Sequence, residues 1–311
     1  MAQPFPPQVF NQDFDPQTGQ PVPVAPGTVR VTAPNRSAYT FTGTNAYLLG
    51  DSTVAVLDPG PDDEQHRQAL LRAIGGREVS AIILTHTHRD HSALAGRLAR
   101  ELGAPLWFGG QHRLSRPLRR WERNRLERSC DWALVPDRVL ADGEQILAGD
   151  LPLVVHATPG HCRNHLAFEA GEVLLSGDHV MGWNSTLVAV PDGSMRDYFA
   201  SLDKVIALPT KLFLPGHGGP IEDGPAYARA LRGHRQMRNE QVLEAVRSGA
   251  STIGAVVERI YPKQAFAVRR AARMTITAHV EYLEALGLLN VRRGLLGMRI
   301  AAEPERSPLG K

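Results

Sequence analysis

A dense group of potential metal ligands follows a buried strand, and it limits the folds open to this chain more than any other feature. The apolar run VSAIILT (79–85) predicts the strand, and directly after it come His86, His88, Asp90 and His91. An extended backbone points His86 and His88 to one side, whereas Asp90 and His91 turn away as a helix begins and can serve a second metal. Burying four such side chains is costly unless a metal binds them. Imidazole and carboxylate ligands predict zinc, with iron or manganese as alternatives. The competing interpretation of the motif is a polar loop that is rich in histidine and binds no metal.

Three later turns carry further residues of the ligand type. His161 lies in TPGHC after the predicted strand LPLVVHA, Asp178 lies in SGD after EVLLS, and His217 lies in PGHGG after LFL. Each is a histidine or aspartate in a glycine-bearing turn at a strand end, where α/β enzymes place their chemistry. One such turn is usually only a turn, but the three together with the first group predict a single metal centre.

Strands alternate with helices along most of the chain, which predicts an α/β fold. Strands are predicted at 28–34, 39–50, 54–60, 79–85, 105–108, 151–157, 166–169, 172–176 and 212–214, and helices at 62–74 and 92–103. We expect a proline-rich, extended or loosely packed lead-in at 1–27, a catalytic domain at 28–224 and a small domain at 225–311. In the last, helices predicted at 225–248, 252–260 and 265–287 precede two short apolar runs at 288–300, which is the outline of a winged helix.

The order of the ligands resembles that of the metallo-β-lactamase fold superfamily. Its signature, a His-x-His-x-Asp-His run followed by His, Asp and His, is matched within residues 30–220 by His86, His88, Asp90, His91, His161, Asp178 and His217. The resemblance implies an αββα sandwich with the metals at one edge of its two sheets. It also implies that His86, His88 and His161 hold the first metal, that Asp90, His91 and His217 hold the second, and that Asp178 bridges both.

A two-metal centre of this kind predicts hydrolysis. Two divalent cations about 3.5–4 Å apart share a water and lower its pKa, which supplies a hydroxide nucleophile at neutral pH. Asp90 is the expected catalytic residue, which steers the hydroxide or carries a proton to the leaving group. Cys162 is the rival nucleophile, but it stands where relatives commonly have Thr or Ser. We expect Asp58 in LDPG to be a structural acid near the metals that can orient a ligand histidine.

The C-terminal segment resembles that of the beta-lactamase-like protein 2 group. The resemblance rests on HRQMRNEQVLEAVRSG, TIGAVVERIYP and HVEYLEALGLL, and on TPGHCRNHLAF, where the group has a second histidine at the position of His165. It implies a small winged-helix-like domain and, for some members, cleavage of single-stranded RNA. Cys162 and His179 depart from the Thr and Cys that are usual in the group, which removes no ligand but puts the pocket shape and the substrate in doubt.

Charge is divided unevenly along the chain. Residues 225–311 carry 15 Lys+Arg against 7 Asp+Glu, a net of +8, so the first 224 residues, with 20 against 25, carry −5. Such asymmetry can indicate a tail that binds nucleic acid. However, only four of the 35 basic residues are lysines, which favours a general arginine bias of the genome. The Arg-rich stretch 111–128 is either an anion-binding surface or a solvated helix paired through Glu122 and Glu127, and we favour the helix.

Composition limits the location and the partners. No apolar run approaches the roughly 18 residues that span a bilayer, the first residues have no secretory-signal pattern, and two cysteines, Cys130 and Cys162, are too few for a disulfide framework. We therefore expect a cytoplasmic protein without membrane association, whose other histidines (His66, His112, His156, His234 and His279) are surface or helix residues.

Several substrates stay open at this point. We expect a zinc-dependent hydrolase of a small ester or thioester, or of a phosphodiester in single-stranded RNA, which would make it an endoribonuclease. A glyoxalase II-like thioester hydrolase or a lactonase is the alternative enzyme, and a nucleic-acid-binding regulator with a vestigial metal site is the alternative of another class. The oligomeric state is not determined by these patterns.

Overall fold

Two β-sheets packed face to face form the centre of the protein in a computed structural model, which describes residues 10–262, 266–294 and 297–303. The first sheet has the order β1 (Pro21–Ala25), β2 (Thr28–Thr32), β3 (Asn45–Leu49), β4 (Val54–Leu57), β5 (Val79–Ile83), β6 (Leu106–Phe108) and β7 (Arg138–Val139). The second has the order β12 (Leu212–Pro215), β11 (Val173–Gly177), β10 (Leu166–Ala170), β9 (Leu151–Ala157) and β8 (Gln145–Ala148). The mixed α/β architecture that the sequence predicts is confirmed.

Side-chain alternation along the strands separates the layers of the core. In β3, Leu48 packs in the cluster that includes Leu70 and Leu98 of the first two long helices, α1 (Glu64–Ile74) and α3 (Ala95–Leu102). The neighbouring Leu49 points to the other face and packs between the two sheets with Phe168. The outer face of the second sheet is covered by α4 (Met195–Ile206), α5 (Gly224–Arg247) and α7 (Phe266–Ala285). The layers therefore run helix, sheet, sheet, helix.

Local signals set the bounds of several elements. Asp63 caps α1 by accepting from the backbone N–H of His66, and the helix ends at Gly75, whose φ of 64° lies in the left-handed region. The strand predicted at 39–50 is shorter than expected, because Gly43 has a φ of 138° and a Cβ there would lie 2.0 Å from the carbonyl oxygen of Ala33. β3 begins only after this close approach.

Some elements differ from the sequence predictions. β1 lies within the stretch predicted as a proline-rich lead-in and pairs antiparallel with β2, and α4 and β8 were not predicted. The helix favoured at 111–128 is wrong: this segment is irregular, apart from a single 3-10 turn at Glu127–Ser129. Pro117 removes a backbone donor there, and Trp121 has a φ of 69°, which no α-helix accommodates. Residues 1–9 of the lead-in lie outside the described residues.

Three helices and a hairpin form the C-terminal segment. α5 is followed by α6 (Ile253–Ile260), α7 and an antiparallel pair of strands, β13 (Leu289–Gly294) and β14 (Gly297–Ala302), which share one apolar cluster. Parts of this segment that the sequence analysis covers, residues 263–265, 295–296 and 304–311, lie outside the described residues. Among the described residues, none of the helices is both long and apolar enough to cross a membrane.

Candidate metal centre

All seven predicted ligands lie together where four strands end. β5 leads into His86 and into the short helix α2 (Arg89–Ser92), and β9, β11 and β12 lead into the loops that carry the other three ligands. Six of the seven are buried, and Asp90 is partly exposed. Gly216, in the PGH turn, is required here because a Cβ would lie 2.7 Å from both Asp178 Oδ1 and His91 Cε1. This glycine therefore leaves room for two of the predicted ligand side chains.

The first group of nitrogens belongs to His86, His88 and His161. His161 donates from Nδ1 to the carbonyl oxygen of Leu187 at 2.7 Å, and His88 donates from Nε2 to Oδ2 of Asp192 at 2.8 Å. Each ring then carries its lone pair on the other nitrogen. These two atoms, His161 Nε2 and His88 Nδ1, lie only 2.8 Å apart.

Asp58 orients two of the imidazoles from outside the cluster. Its carboxylate accepts from the backbone N–H of Thr85 (2.7 Å), from the Thr85 hydroxyl (2.6 Å) and from His91 Nδ1 (2.9 Å). Because the Thr85 hydroxyl donates to Asp58, it accepts from His86 Nδ1 at 2.9 Å. The lone pair of His86 is then on Nε2, a buried atom that has no hydrogen-bond partner within the described part of the chain. The structure thus places Asp58 in contact with a predicted ligand.

The second group consists of Asp90, His91 and His217. His217 donates from Nδ1 to the carbonyl oxygen of Gly43 at 3.2 Å, and His91 donates to Asp58, so each ring in its neutral form carries the lone pair on Nε2. The two Nε2 atoms lie 3.2 Å apart, and Asp90 Oδ2 lies 3.3 Å from that of His217. This pair repeats the arrangement of the first group.

One carboxylate lies between the two groups. Asp178 Oδ1 is 3.4 Å from His91 Nε2, while Oδ2 is 3.4 Å from His217 Nε2 and 3.6 Å from His161 Nε2. Oδ1 has no hydrogen-bond partner among the described residues. Asp178 therefore reaches members of both groups, as a bridging residue must.

The donor set fits divalent metal ions. Two pairs of facing ring nitrogens, at 2.8 and 3.2 Å, repel each other unless a proton or a metal cation lies beside them, and His86 Nε2 is buried without any partner in the described residues. An unpartnered buried polar atom costs roughly 1–3 kcal/mol. Imidazole nitrogens and carboxylate oxygens are the donors that zinc takes in proteins, apart from thiolates. The residues present are therefore suited to a two-metal centre.

The pKa shifts of the clustered histidines also indicate that their carboxylates require neighbouring positive charge. Burial, together with the neighbouring His88, lowers the pKa of His161 to about 4, and burial with His91 holds the pKa of His86 well below its usual range. Burial also acts on His217, but the charges of Asp178 and Asp90 outweigh it and raise its pKa to about 9. His86 and His161 are thus held neutral, whereas burial of His88 is outweighed by the hydrogen bond to Asp192 and by its charge, which raise the pKa of His88. The second group retains protons where a metal would otherwise neutralise its carboxylates.

Two residues that the sequence analysis missed hold the first group from outside. Asp192 accepts from His88 Nε2 at 2.8 Å and from His112 Nε2 at 2.8 Å, and His112 Nδ1 lies 2.9 Å from the Thr87 hydroxyl. His112 is buried in a loop, so its prediction as a surface or helix residue is wrong. Asp192 and Cys130 also form a metal-sized cluster with His88, but the hydrogen bonds to two imidazoles already satisfy the Asp192 carboxylate.

The loop before Asp192 is anchored by the C-terminal segment. Arg235 of α5 is buried, donates to the carbonyl oxygen of Thr186, and places its guanidinium 5.4 Å from the ring centre of Tyr198. The Thr186 hydroxyl in turn donates to the carbonyl oxygen of Asp178 at 2.8 Å. α5 therefore holds the segment whose next residue, Leu187, accepts from His161.

The remaining histidines and the cysteine serve packing and support. His165 Nε2 accepts from the backbone N–H of Asp178 at 3.1 Å, and its Nδ1 donates to the Thr158 hydroxyl at 2.8 Å. The Cys162 thiol is fully buried, and burial raises its pKa well above the usual range. His66, His234 and His279 lie in helices as predicted, whereas His156 lies in β9 and pairs with Glu169 at 2.7 Å, so its prediction is wrong.

A cavity of about 600 Å³ lies beside the predicted ligands, within the size range of small-molecule sites. His88, Asp90, His161 and Asp178 form part of its lining, and Arg270 and Met274 of α7 line it as well. The C-terminal segment therefore contributes directly to the pocket.

Comparison with known proteins agrees with this geometry. Residues 39–217 match the family model of the metallo-beta-lactamase superfamily. A Drosophila melanogaster protein named beta-lactamase-like protein 2 homolog is 27% identical over 277 residues, which cover 85% of this chain and 90% of that protein. An Aspergillus fumigatus protein named atrochrysone carboxyl ACP thioesterase is 25% identical over 258 residues, covering 76% of this chain and 74% of that protein.

Solved structures extend the likeness to nearly the whole chain. A metallo-beta-lactamase family protein from Thermus thermophilus has a TM-score of 0.73 and 28% identity, covering 90% of this chain and 99% of that one. A beta-lactamase domain protein from Burkholderia ambifaria has a TM-score of 0.77 at 24% identity, covering 94% and 96%, and shows the same fold. With more than half of the chain inside the family match, and with the ligand residues gathered at one edge of two packed sheets, the protein belongs to the metallo-beta-lactamase superfamily.

Proposed function

We propose that this protein is a hydrolase that binds two zinc ions, with iron or manganese as alternative metals. The first ion is held by His86, His88 and His161, the second by Asp90, His91 and His217, and Asp178 bridges them. The observation that carries this proposal is the direction of the imidazole lone pairs. Neighbouring groups fix the tautomers so that His88 Nδ1 faces His161 Nε2 and His91 Nε2 faces His217 Nε2.

The substrate that the site favours is a thioester. The Aspergillus fumigatus relative is named as a thioesterase, and the lining of the cavity includes apolar side chains, Leu126, Met181, Leu187 and Met274, that suit an acyl chain. In the reaction, a water oxygen bonds to the carbonyl carbon and the C–S bond breaks. The acid is released, and the thiolate takes up the proton that leaves the water.

The chain's own residues orient the reaction. Bound divalent cations would lower the pKa of the attacking water and polarise the carbonyl. Asp90 is partly exposed on the wall of the cavity. The protein around it removes water and opposes ionisation, but the neighbouring His91 and His217 keep the pKa of its carboxyl low, so it is an ionised proton acceptor at neutral pH. We assign it to carry the proton from the water to the leaving thiolate. Asp58, Asp192 and the Leu187 carbonyl hold the imidazoles in place.

We assign the C-terminal segment to shaping the pocket. In this proposal, residues 28–224 form the catalytic domain and residues 225–311 a winged-helix-like domain. Several tail arginines are already engaged within the protein: Arg232 with Asp203, Arg293 with Glu284, and Arg235 with the Thr186 carbonyl. These contacts reduce the charge that a nucleic acid would meet, and they favour a small-molecule substrate over RNA.

Metal analysis and a substrate screen test the proposal. Protein purified without added metal should hold about two equivalents of zinc-class metal, and it should hydrolyse a thioester faster than an RNA oligomer, a lactone or nitrocefin. His88→Ala should abolish this activity, whereas the control His156→Ala, which alters a paired histidine outside the site, should not. Less than half an equivalent of metal, with none regained on zinc dialysis, would refute the metal centre. Cleavage of RNA alone would refute the thioester.

A further inference from the structure

The cavity over the proposed metal centre has an arginine-rich rim. Arg89, Arg125, Arg128 and Arg270 are all exposed side chains that line it. None of the four has a carboxylate within ion-pair distance in the part of the chain that the structure describes. Four such guanidinium groups beside one opening create a positive potential that attracts anions.

The pairing within the Arg-rich segment separates structural arginines from those at the rim. Arg116 donates to both Glu122 (2.6 Å) and Glu281 (2.7 Å), and Arg119 also donates to Glu281. Further along the same segment, Arg125 and Arg128 face the cavity instead. The first two arginines therefore fix the segment against α7, and the last two are left for a ligand.

α7 also contributes side chains to the lining of the cavity. Arg270, Met274 and Glu281 are spaced by four and seven residues, so they lie along one face of this helix. Glu281 ties that face to the Arg-rich segment, while Arg270 and Met274 line the cavity. The ion-pair cluster thereby places Arg270 at the same opening as Arg125 and Arg128.

We propose that these arginines bind phosphate groups on the thiol part of the substrate, so that the enzyme acts on thioesters between an apolar acyl chain and a phosphorylated thiol. Arginine binds phosphate through two parallel N–H donors, and the apolar side chains of the same cavity suit the acyl chain. This inference rests on the proposed thioesterase function. The phosphorylated thiol can be a free nucleotide-containing carrier or a group attached to a carrier protein, and both carry a phosphate group on the arm that ends in the thiol.

Two thioesters with the same acyl group test the inference. Hexanoyl-coenzyme A carries phosphates, and hexanoyl-N-acetylcysteamine has the same scissile bond without charge. We expect the zinc-loaded protein to prefer the charged thioester, with a KM that rises with salt, because exposed charges are screened. In the triple variant Arg125→Ala/Arg128→Ala/Arg270→Ala, the ratio of kcat/KM between charged and neutral thioesters should fall on the order of 30-fold, if each guanidinium contributes about a factor of three.

The matched control is Arg123→Ala, which removes an exposed arginine of the same segment that does not line the cavity. It should keep the wild-type ratio, and circular dichroism should be the same for all three proteins. A comparison of kcat/KM between hexanoyl-coenzyme A and a hexanoyl group on a phosphopantetheine-bearing carrier protein identifies which of the two carriers supplies the phosphate.

Three outcomes would overturn the inference in different ways. An unchanged ratio in the triple variant removes the arginine site but leaves the thioesterase function standing. Failure of the wild type to cleave either thioester refutes the proposed function and this substrate class together. Cleavage of a single-stranded RNA that is lost in the triple variant, without thioester cleavage, assigns the arginines to a nucleic-acid backbone.

Discussion

Replacing Asp192 by asparagine should weaken zinc binding although Asp192 is not a proposed ligand. Its two carboxylate oxygens each accept from an imidazole, Oδ2 from His88 and Oδ1 from His112, both at 2.8 Å. An amide offers only one oxygen, and its NH₂ group would face the second imidazole N–H. His88 then loses its acceptor or shifts its proton to Nδ1, the atom that faces His161.

The size of the effect follows from this loss. A hydrogen bond to a charged group contributes about 1.5–3 kcal/mol, which corresponds to roughly a 10- to 100-fold change in an equilibrium constant. Loss of groups that orient metal-binding histidines has effects of the same size. We therefore expect the zinc affinity of Asp192→Asn to fall by about 10- to 100-fold, measured by competition with a chromophoric chelator.

Glu169→Gln is the matched control for this change. Glu169 also accepts from a histidine, His156, at 2.7 Å, but this pair lies outside the predicted metal site. The zinc affinity of the Glu169→Gln variant should equal that of the wild type. If Asp192→Asn, folded by circular dichroism, binds zinc within twofold of the wild type, the reasoning about the His88 tautomer is wrong.

Three further predictions concern the same centre. Cys162→Ser should keep at least half of the hydrolytic kcat/KM, because the buried thiol has a pKa far above neutral and its contact with Asn164 suits a hydroxyl. Zinc binding to metal-free protein at pH 7 should release protons, because the pKa of His217 is raised to about 9. The release should appear as calorimetric heats that differ between buffers, and the zinc affinity should rise with pH up to about 9. Gly160→Ala, where φ is 141° and a Cβ would lie 2.4 Å from Tyr198 Cα, should cost about 3 kcal/mol or more in the free energy of unfolding.

Each of these has a clear opposite result. A Cys162→Ser protein with less than a tenth of wild-type activity would restore the cysteine as nucleophile. Binding heats that do not depend on the buffer would contradict the protonation of the second group. For the glycine, the control is Gly171→Ala, with φ of 58° and no atom within 4 Å of its Cβ, which should cost only about 1–2 kcal/mol. Equal losses at the two glycines would contradict the steric argument.

The gathering of the seven predicted ligands at one site could be anticipated because each has a local signal. His86 to His91 follow a buried apolar strand, and His161 and His217 stand in Pro-Gly turns, so residue type and backbone geometry are visible within a few positions. Asp192 has no such signal, since its partner His88 is 104 residues away. α4 did have one: Ser194 caps it by accepting from the Asp197 N–H, and Tyr198, Leu202 and Val205 repeat at helical spacing.

The Arg-rich segment shows how charge can mislead. Arginine and glutamate at short spacings are typical of a solvated helix, but here they pair across the fold, with Glu281 of α7 as the shared acceptor. That partner lies 165 residues from Arg116 in the sequence. A local pattern therefore could not distinguish a helix from a loop that is held by distant ion pairs.

The contact between Arg235 and Thr186 affects what can be learned by deleting or exchanging the C-terminal segment. Deleting residues 225–311 removes the buried guanidinium that holds the peptide joining Asp178 to Leu187. If a shortened chain lost activity, the loss would thus reveal nothing about substrate capture, since we expect the proposed metal ions to be released as well. If the tails of two relatives were exchanged, the exchanged tail would also carry Arg235, whose contact with Thr186 supports the loop beside the predicted ligand His161. In the proposed function, metal retention and substrate choice would therefore change together when the tail is exchanged.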